Sequence, residues 1–174
     1  MTISKLRNYK INKECQIKDL SKIYKDNFGY TKNGTFVEVG AYDGERWSNT
    51  SGLADAGWRG LYIEPVKDYY ANCLKRHRKN KNVSVLNIAI GEEEGKLEIF
   101  KGESLSTFSK EHVNAYSKMD WSKHIDLSQK EICNVKTLDS VLSNNSIKRG
   151  FEVLVIDVEG YEHQVLNSFD INIW

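Results

Sequence analysis

The sequence is poor in proline and cysteine and carries almost no net charge: its 174 residues include one proline and three cysteines. Lys and Arg number 25 against 24 Asp and Glu, which leaves a formal net charge of +1. A general nucleic-acid-binding protein usually has a basic stripe and a high pI. We therefore expect no nucleic-acid partner. The basic stretch 75–81 is interpreted as the solvated end of a helix, with a local basic patch as the alternative.

The sequence also lacks metal-binding cysteine motifs and long apolar runs. Cys15, Cys73 and Cys133 form no CxxC pair, so we interpret them as free thiols in a reducing compartment. Residues 1–30 lack the apolar core of a signal peptide, and no stretch approaches the roughly 18 apolar residues of a membrane span. The sequence thus predicts a cytoplasmic protein without a membrane span.

Short strand-like runs alternate with helical patterns along most of the chain. Such alternation predicts a parallel sheet with right-handed crossovers. We therefore expect a Rossmann-like α/β fold of three layers, with a mainly parallel sheet between helices. The predicted core strands are 35–39, 60–64, 83–90 and 152–156, and the first two helices between them are 48–57 and 69–78.

The two ends of the chain fall outside this alternation. Apolar residues at helical spacing predict an amphipathic helix over 15–28, so we assign residues 1–34 to a helical segment packed on a main domain of residues 35–174. The chain stops at Trp174, where a doubly wound sheet normally continues. We therefore expect a domain shortened after its fourth core strand, and a homo-oligomer would be one way to supply the missing strands.

A long polar stretch, 104–131, follows an additional predicted strand at 96–100. Loops of this length inside compact domains are usually functional or disordered. Isolated aromatic and histidine side chains in it would form a lid over a substrate, and a small satellite core is the alternative. From residue 135 onward, apolar side chains at helical spacing predict a helix. The candidate lid residues are Phe108, His112, Tyr116, Trp121 and His124.

The turn after the first strand, 38–44, contains two glycines that permit tight turning and close approach of a ligand. The dinucleotide fingerprint G-x-G-x-x-G would need glycine at the positions of Tyr42 and Glu45. A bulky side chain in the turn leaves less room for a pyrophosphate. The turn therefore favours a ligand that contains adenosine but no diphosphate.

Two glutamates lie at the ends of the first two strands. Glu64 follows the glycine turn by about 20 residues, where a carboxylate accepts hydrogen bonds from ribose hydroxyls. Its alternative is a solvated charge before Pro65. Glu38 lies within a central strand, where a carboxylate is costly to bury without partners. It would meet the backbone amides of the turn or a ligand ammonium group, unless this face of the strand is solvated.

Several motifs in order resemble those of the FkbM family of S-adenosylmethionine-dependent methyltransferases. Each motif is weak alone, but their order and spacing are specific, and the resemblance extends from about residue 35 to the end of the chain. It implies a class I methyltransferase fold and S-adenosylmethionine as the cofactor. The matching segments are 38–44, 48–50, 57–65, 87–91, 137–139 and 156–162.

The resemblance also implies a set of cofactor-binding residues. Glu64 would bind the ribose, and Ala89 with Ile90 would flank the adenine. Ser48 and Asn49 would bind the cofactor carboxylate near a helix N-terminus, with simple capping of that helix as the equal alternative. The residues expected at the methionine and sulfonium end are Glu38, Gly40, Tyr42 and Gly44.

Family members commonly methylate hydroxyl groups of sugars, lipids or polyketide-like products, so the expected partner is a small hydroxylated acceptor. The candidate catalytic residues are Asp157, Glu159 and His163, near the end of the fourth strand. His163 has a suitable pKa for a general base, although a plain surface histidine is an equal alternative. Asp157 and Glu159 would also suit a divalent cation, which we do not favour because two carboxylates are a small ligand set.

Two other functions remain open at the level of sequence. A nucleotide-dependent oxidoreductase would also use a carboxylate at Glu64, but the broken glycine fingerprint argues against it. A non-catalytic cofactor-binding or interaction module would retain the same motifs without turnover. O-methylation of a carbohydrate or related metabolite is therefore the function we expect.

Overall fold

The computed structural model describes residues 9–15, 17–31 and 33–174. The expected N-terminal segment 1–34 therefore lies partly outside the described residues. Its helix, α1, spans Leu20–Phe28 and turns Leu20 and Tyr24 toward the core. The helix starts later than the predicted residue 15, because Asp19 adopts a left-handed backbone conformation with φ of 55°.

Seven strands and five further helices follow α1. A single 3₁₀ turn, Asp120–Ser122, lies in the long polar stretch. The strands are β1 Thr35–Val39, β2 Arg59–Ile63, β3 Val83–Leu86, β4 Ala89–Ile90, β5 Gly95–Phe100, β6 Lys130–Lys136 and β7 Val153–Ile156. The helices are α2 Ser51–Asp55, α3 Lys67–His77, α4 Lys110–Tyr116, α5 Leu138–Asn144 and α6 Glu162–Leu166.

The main sheet has four parallel strands in the order β3-β2-β1-β7. In its register, Val37 lies between Leu61 and Leu154. The chain runs outward from β1 to β3 and then returns to place β7 on the other side of β1. This arrangement confirms the predicted Rossmann-like α/β fold and puts the point where the strand order reverses between β1 and β7.

Each face of the main sheet buries a separate apolar cluster, because neighbouring side chains of a strand point to opposite faces. Val37 and Leu61 pack with α5 and α6 on one face, whereas Phe36 and Tyr62 pack with α1, α2 and α3 on the other. Tyr9, near the N-terminus, packs in the second cluster, and its ring centroid lies 5.8 Å from that of Tyr24. Helices therefore cover both faces of the sheet.

The predicted third strand, 83–90, is wrong in its extent. It divides into β3 in the main sheet and β4 in a second sheet of order β4-β6-β5. Between them, the Asn87 amide donates hydrogen bonds of 3.0 and 2.9 Å to the backbone oxygens of Glu64 and Pro65. These bonds hold the chain beside the end of β2 as it leaves the main sheet to pair Ala89 with Val135.

The polar stretch 104–131 is also more regular than predicted. It contains α4 and the start of β6, which pairs antiparallel with β5. In β6, Cys133 and Val135 are buried whereas Ile132 and Asn134 are exposed. One side of β6 faces solvent and carries polar residues. The alternation of buried and exposed side chains is therefore hard to recognise in the sequence. Among the described residues, none of the helices combines the length and apolar character needed to cross a bilayer.

Candidate active site

The carboxyl ends of β1, β2 and β7 meet around one small pocket, at the point where the strand order reverses. Gly40 ends β1 with φ of +87°, and a side chain there would place its Cβ 1.8 Å from the backbone oxygen of Asp157. Glycine is therefore required for β1 and β7 to approach this closely. Ligands of open parallel sheets bind in this crevice.

The pocket has three strand-end walls and a roof formed by residues 99–108. Its volume is about 50 Å³. The strand-end walls are formed by Gly40, Tyr42, Glu64, Pro65, Tyr69, Asp157, Val158 and Glu159. The roof consists of Ile99, Glu103, Ser104, Ser106 and Phe108.

Glu64 places a buried carboxylate in the pocket wall. It accepts hydrogen bonds of 2.8 Å each from the backbone N–H groups of Tyr42 and Val66, one on each oxygen. Burial raises the pKa of Glu64 to about 8, despite these two donors, and the charge of Glu131 adds to the shift. A carboxylate has about four acceptor positions, so Glu64 retains capacity for donors from a ligand.

Glu38 is as deeply buried, but its carboxylate faces the interior of the protein. It accepts hydrogen bonds from the Ser48 hydroxyl at 2.9 Å, the Asn49 N–H at 3.0 Å and the Thr50 hydroxyl at 2.6 Å. Burial raises its pKa to about 7, although these bonds oppose the shift. Glu38 thus fixes the loop that leads into α2 and is absent from the pocket lining.

Ser48 and Asn49 are both buried in this loop. The Ser48 hydroxyl also accepts from the N–H groups of Thr50 and Ser51 at 3.2 and 3.1 Å, which satisfies backbone donors at the start of α2. The Asn49 side chain accepts a hydrogen bond from the Cys15 thiol at 3.3 Å. The contacts of Ser48 correspond to the capping alternative, whereas the described hydrogen bond of the Asn49 side chain goes to Cys15 and not to α2.

Tyr42 and Gly44 take different positions in the turn after β1. Tyr42 has φ of 50° and lines the pocket, with its ring 4.7 Å from that of Tyr69. Gly44 is buried against α3, and its backbone oxygen lies 3.1 Å from His77 Nε2. The turn therefore presents one aromatic side chain to the pocket and packs its second glycine against a helix.

Ala89 and Ile90 lie in the apolar core. Ala89 packs with Val66 and Ile99, and Ile90 packs with the cluster between the main sheet and α5. Neither residue is part of the pocket lining. Apolar side chains reach the pocket from other elements instead: Ile99 and Phe108 come from β5 and the segment after it, and Pro65 and Val158 come from the strand ends.

Of the three candidate catalytic residues, two reach the pocket. Asp157 and Glu159 line it, whereas His163 lies exposed on α6 with Nδ1 3.1 Å from the Asn167 amide nitrogen. Burial raises the pKa of Glu159, and the charges of Asp157 and Glu162 add to the shift. The structure therefore groups two carboxyls with Glu64 around one cavity.

The sequence did not predict that residues of the polar stretch would bind Glu159 directly. The Thr107 hydroxyl donates a 2.6 Å hydrogen bond to the Glu159 backbone oxygen, and the Tyr116 hydroxyl donates to its carboxylate. One local signal was available: Ser109 accepts from the His112 N–H and caps α4. The contacts themselves join positions too distant in sequence for spacing to predict.

A family model described as the methyltransferase FkbM domain matches residues 38–174. The chain belongs to the FkbM methyltransferase family. This match confirms the resemblance seen in the sequence motifs. All residues that line the pocket fall within the matched range. A search of curated proteins found no match to this chain.

Within this FkbM domain, the expected site residues fall into three groups. Gly40, Tyr42, Glu64, Asp157 and Glu159 line the pocket. The second group, behind or beside it, consists of Glu38, Gly44, Ser48, Asn49, Ala89 and Ile90. His163 alone forms the exposed third. The described part of the chain contains no group of three or more His, Cys, Asp or Glu residues suited to hold a metal ion.

Proposed function

We propose that this FkbM domain transfers a methyl group from S-adenosylmethionine to a hydroxyl of a carbohydrate or related metabolite. The observation that carries the proposal is Glu64. Its carboxylate is buried, lines the pocket where the strand order reverses, and has unused acceptor positions. Such a group suits a ligand that brings hydroxyl donors, as a ribose does.

The groups that line the pocket suit the chemistry of S-adenosylmethionine. Bound S-adenosylmethionine would supply an electrophilic methyl group. Glu64 would hold the ribose, and Gly40 with Tyr42 would face the methionine end. Ser48 and Asn49 would act with Glu38 by holding the loop before α2, because their side chains are buried in that loop.

The volume of the pocket requires the roof to move. Cavities for ligands of this size measure roughly 300 to 1,000 Å³, whereas this one measures about 50 Å³. Tyr42 and Tyr69, whose rings are in contact, and the roof residues Ser104 and Phe108 border this small volume. Cofactor binding would therefore separate the roof from the strand ends.

Asp157 and Glu159 are the proposed acidic groups for proton transfer. As the acceptor oxygen attacks the methyl carbon, its proton must pass to a base, and alignment supplies much of the rate. Glu159 is the better candidate because hydrogen bonds from the Thr107 and Tyr116 hydroxyls fix its position. Hydroxyl and carboxyl groups of the roof, from Ser104 and Glu103, suit a hydroxylated acceptor.

A non-catalytic module that binds the cofactor is the second candidate. The small volume of the pocket favours it, since a site that opens only partly would bind the cofactor without room for an acceptor. The two candidates make the same prediction for cofactor binding. They differ in whether radiolabelled methyl groups from S-adenosylmethionine reach hydroxylated acceptors.

Isothermal titration with S-adenosylmethionine, S-adenosylhomocysteine and NAD tests the cofactor assignment. We expect saturable binding of the two sulfur ligands and none of NAD. Glu64→Gln should weaken their binding about tenfold or more, because it removes a charged acceptor of hydrogen bonds. Glu98→Gln is the matched control, since Glu98 is exposed on β5 and pairs with Lys130. Absence of binding by folded wild-type protein would overturn the assignment.

If the sulfur ligands bind, an acceptor screen separates the two candidates. Transfer of labelled methyl to a sugar-containing acceptor supports the enzyme. Binding with no transfer to any acceptor, including sugars, glycolipids and hydroxylated natural products, supports the non-catalytic module.

A further inference from the structure

Residues 99–116, the roof together with α4, form a covering segment that also holds the proposed base. Glu159 follows β7 with φ of 52°, a left-handed conformation that non-glycine residues rarely adopt. Such a conformation persists only where its surroundings impose it. The covering segment donates a hydrogen bond to each of the two acceptor groups of Glu159, its backbone oxygen and its carboxylate.

The first contact fixes the backbone of Glu159. The Thr107 hydroxyl lies 2.6 Å from its backbone oxygen, and Thr107 is fully buried. Thr107 also exchanges backbone hydrogen bonds of 2.9 and 3.1 Å with Phe100 at the end of β5. Through Thr107, the second sheet is tied to the turn after β7.

The second contact fixes the carboxylate. Tyr116, on the last turn of α4, donates its hydroxyl to Glu159 Oε2, and only 8% of Tyr116 is exposed. The ring of His112, one turn earlier on α4, packs against Gly160, where an added Cβ would lie 2.1 Å from His112 Cε1. Glycine at position 160 therefore allows α4 to approach closely enough for Tyr116 to reach the carboxylate.

We propose that Tyr116 is a positioning residue that aligns the Glu159 carboxylate, so that closure of the segment over the pocket and alignment of the base occur together. This inference rests on the proposed function, in which Glu159 accepts the acceptor proton. When the covering segment moves away to admit a ligand, the Glu159 carboxylate loses its hydrogen bond from Tyr116. When the segment closes over both ligands, the Tyr116 hydroxyl forms this hydrogen bond again.

The electrostatic surroundings of Glu159 make this pairing measurable. Asp157 at the end of β7 and Glu162 on α6 face it with negative charge, and His112 and Tyr116 face it from α4. The first two raise the pKa of Glu159, whereas the hydrogen bond from Tyr116 and the charge of His112 lower it. Removing the Tyr116 hydroxyl should therefore shift the titration of Glu159 to higher pH.

The test is a carbon-13 NMR titration of glutamate side-chain carboxyls in the ligand-free protein, with the Glu159 signal assigned by its loss in Glu159→Gln. In Tyr116→Phe, we expect the Glu159 midpoint to move to higher pH, because a donor to the ionised form is lost. The phenyl ring preserves packing against His112 and Trp121. An unchanged or lower midpoint would overturn the inference.

Tyr161→Phe is the matched control. Tyr161 packs on Phe108 with 5.1 Å between ring centroids, and it makes no hydrogen bond to Glu159 among the described contacts. Its removal should leave the Glu159 midpoint in place, and an equal shift would contradict a specific role of Tyr116. If Tyr116→Phe fails to fold, Tyr116→Leu replaces it, because it also removes the hydroxyl that donates to the Glu159 carboxylate, with the same expected direction and the same contrary outcome.

This titration needs neither cofactor nor acceptor. If the protein fails to bind S-adenosylhomocysteine but shows the shift, the positioning role of Tyr116 is supported and the proposed function is contradicted. If the protein binds the cofactor but shows no shift, the proposed function is supported and the positioning role is contradicted.

Discussion

Glu38 and Glu64 are buried carboxylates at the ends of neighbouring strands, yet their surroundings assign them different tasks. Three donors of the protein occupy the Glu38 carboxylate, two of them hydroxyls. Glu64 receives only two backbone N–H groups and faces the pocket. The comparison teaches that burial alone does not mark a binding residue. Unused acceptor capacity facing a cavity does.

The largest expected effect that tests this comparison is on folding stability. Glu38→Ala should lower the free energy of unfolding by about 3 kcal/mol or more, because it leaves the hydroxyls of Ser48 and Thr50 and the Asn49 N–H without their buried acceptor. Glu64→Ala should cost less, about 1 to 2 kcal/mol, because ligand or water can reach its two donors through the pocket. Urea denaturation of both variants measures the difference. Equal losses would remove the distinction between the two glutamates.

How far the sequence predicted the site depends on how local each contact is. The glycine turn, Glu64 and the alternation of core strands with helices follow from short motifs and spacing. The close approach of Gly40 to Asp157 requires β7 to lie beside β1, and that depends on strand order, which spacing alone does not determine. Gly40 was identified as a cofactor residue, but its contact with β7 was not.

The contacts of Glu159 were the least predictable. Tyr116 was expected as an aromatic of a lid, but its hydroxyl bonds to a residue 43 positions away. That contact depends on the close packing of α4 against Gly160. Backbone amides of the turn were one of the two partners expected for Glu38, but its one backbone donor, the Asn49 N–H, lies beyond the turn 38–44. The hydroxyls of Ser48 and Thr50 were missed because any polar residue before a helix is first read as a cap.

A smaller effect concerns the dependence of stability on pH. The pKa values of Glu38 and Glu64 in the folded state, about 7 and about 8, lie above the ordinary value of 4.5. The folded protein therefore holds these protons more tightly than the unfolded chain. Their stabilising contribution is complete below pH 4.5 and is lost as the pH rises through 7 to 8.

We therefore expect the free energy of unfolding to fall by about 2 kcal/mol between about pH 6.5 and 8, as urea denaturation would show. Glu64→Gln should make this dependence shallower. His77 acts in the opposite direction, since burial lowers its pKa and its contribution is lost as the pH falls below about 6.5. A stability that stays constant from pH 7 to 9 would show that the two glutamates ionise as freely in the folded state as in the unfolded chain.

The smallest expected effect is on ligand binding, where Glu64 should contribute and Glu38 should not. Ribose hydroxyls would donate to ionised Glu64, so binding should lower its pKa from about 8 and release a proton. The affinity for S-adenosylhomocysteine should then rise with pH from 6 to 8, by at most about tenfold per pH unit. Titration calorimetry in buffers of different ionisation enthalpy would detect the released proton.

Glu64→Gln should abolish both the proton release and the pH dependence, whereas Glu38, which is absent from the pocket lining, should contribute to neither. A pH dependence that persists in Glu64→Gln would move the ribose contact to another group, with Asp157 and Glu159 as the next carboxyls in the pocket.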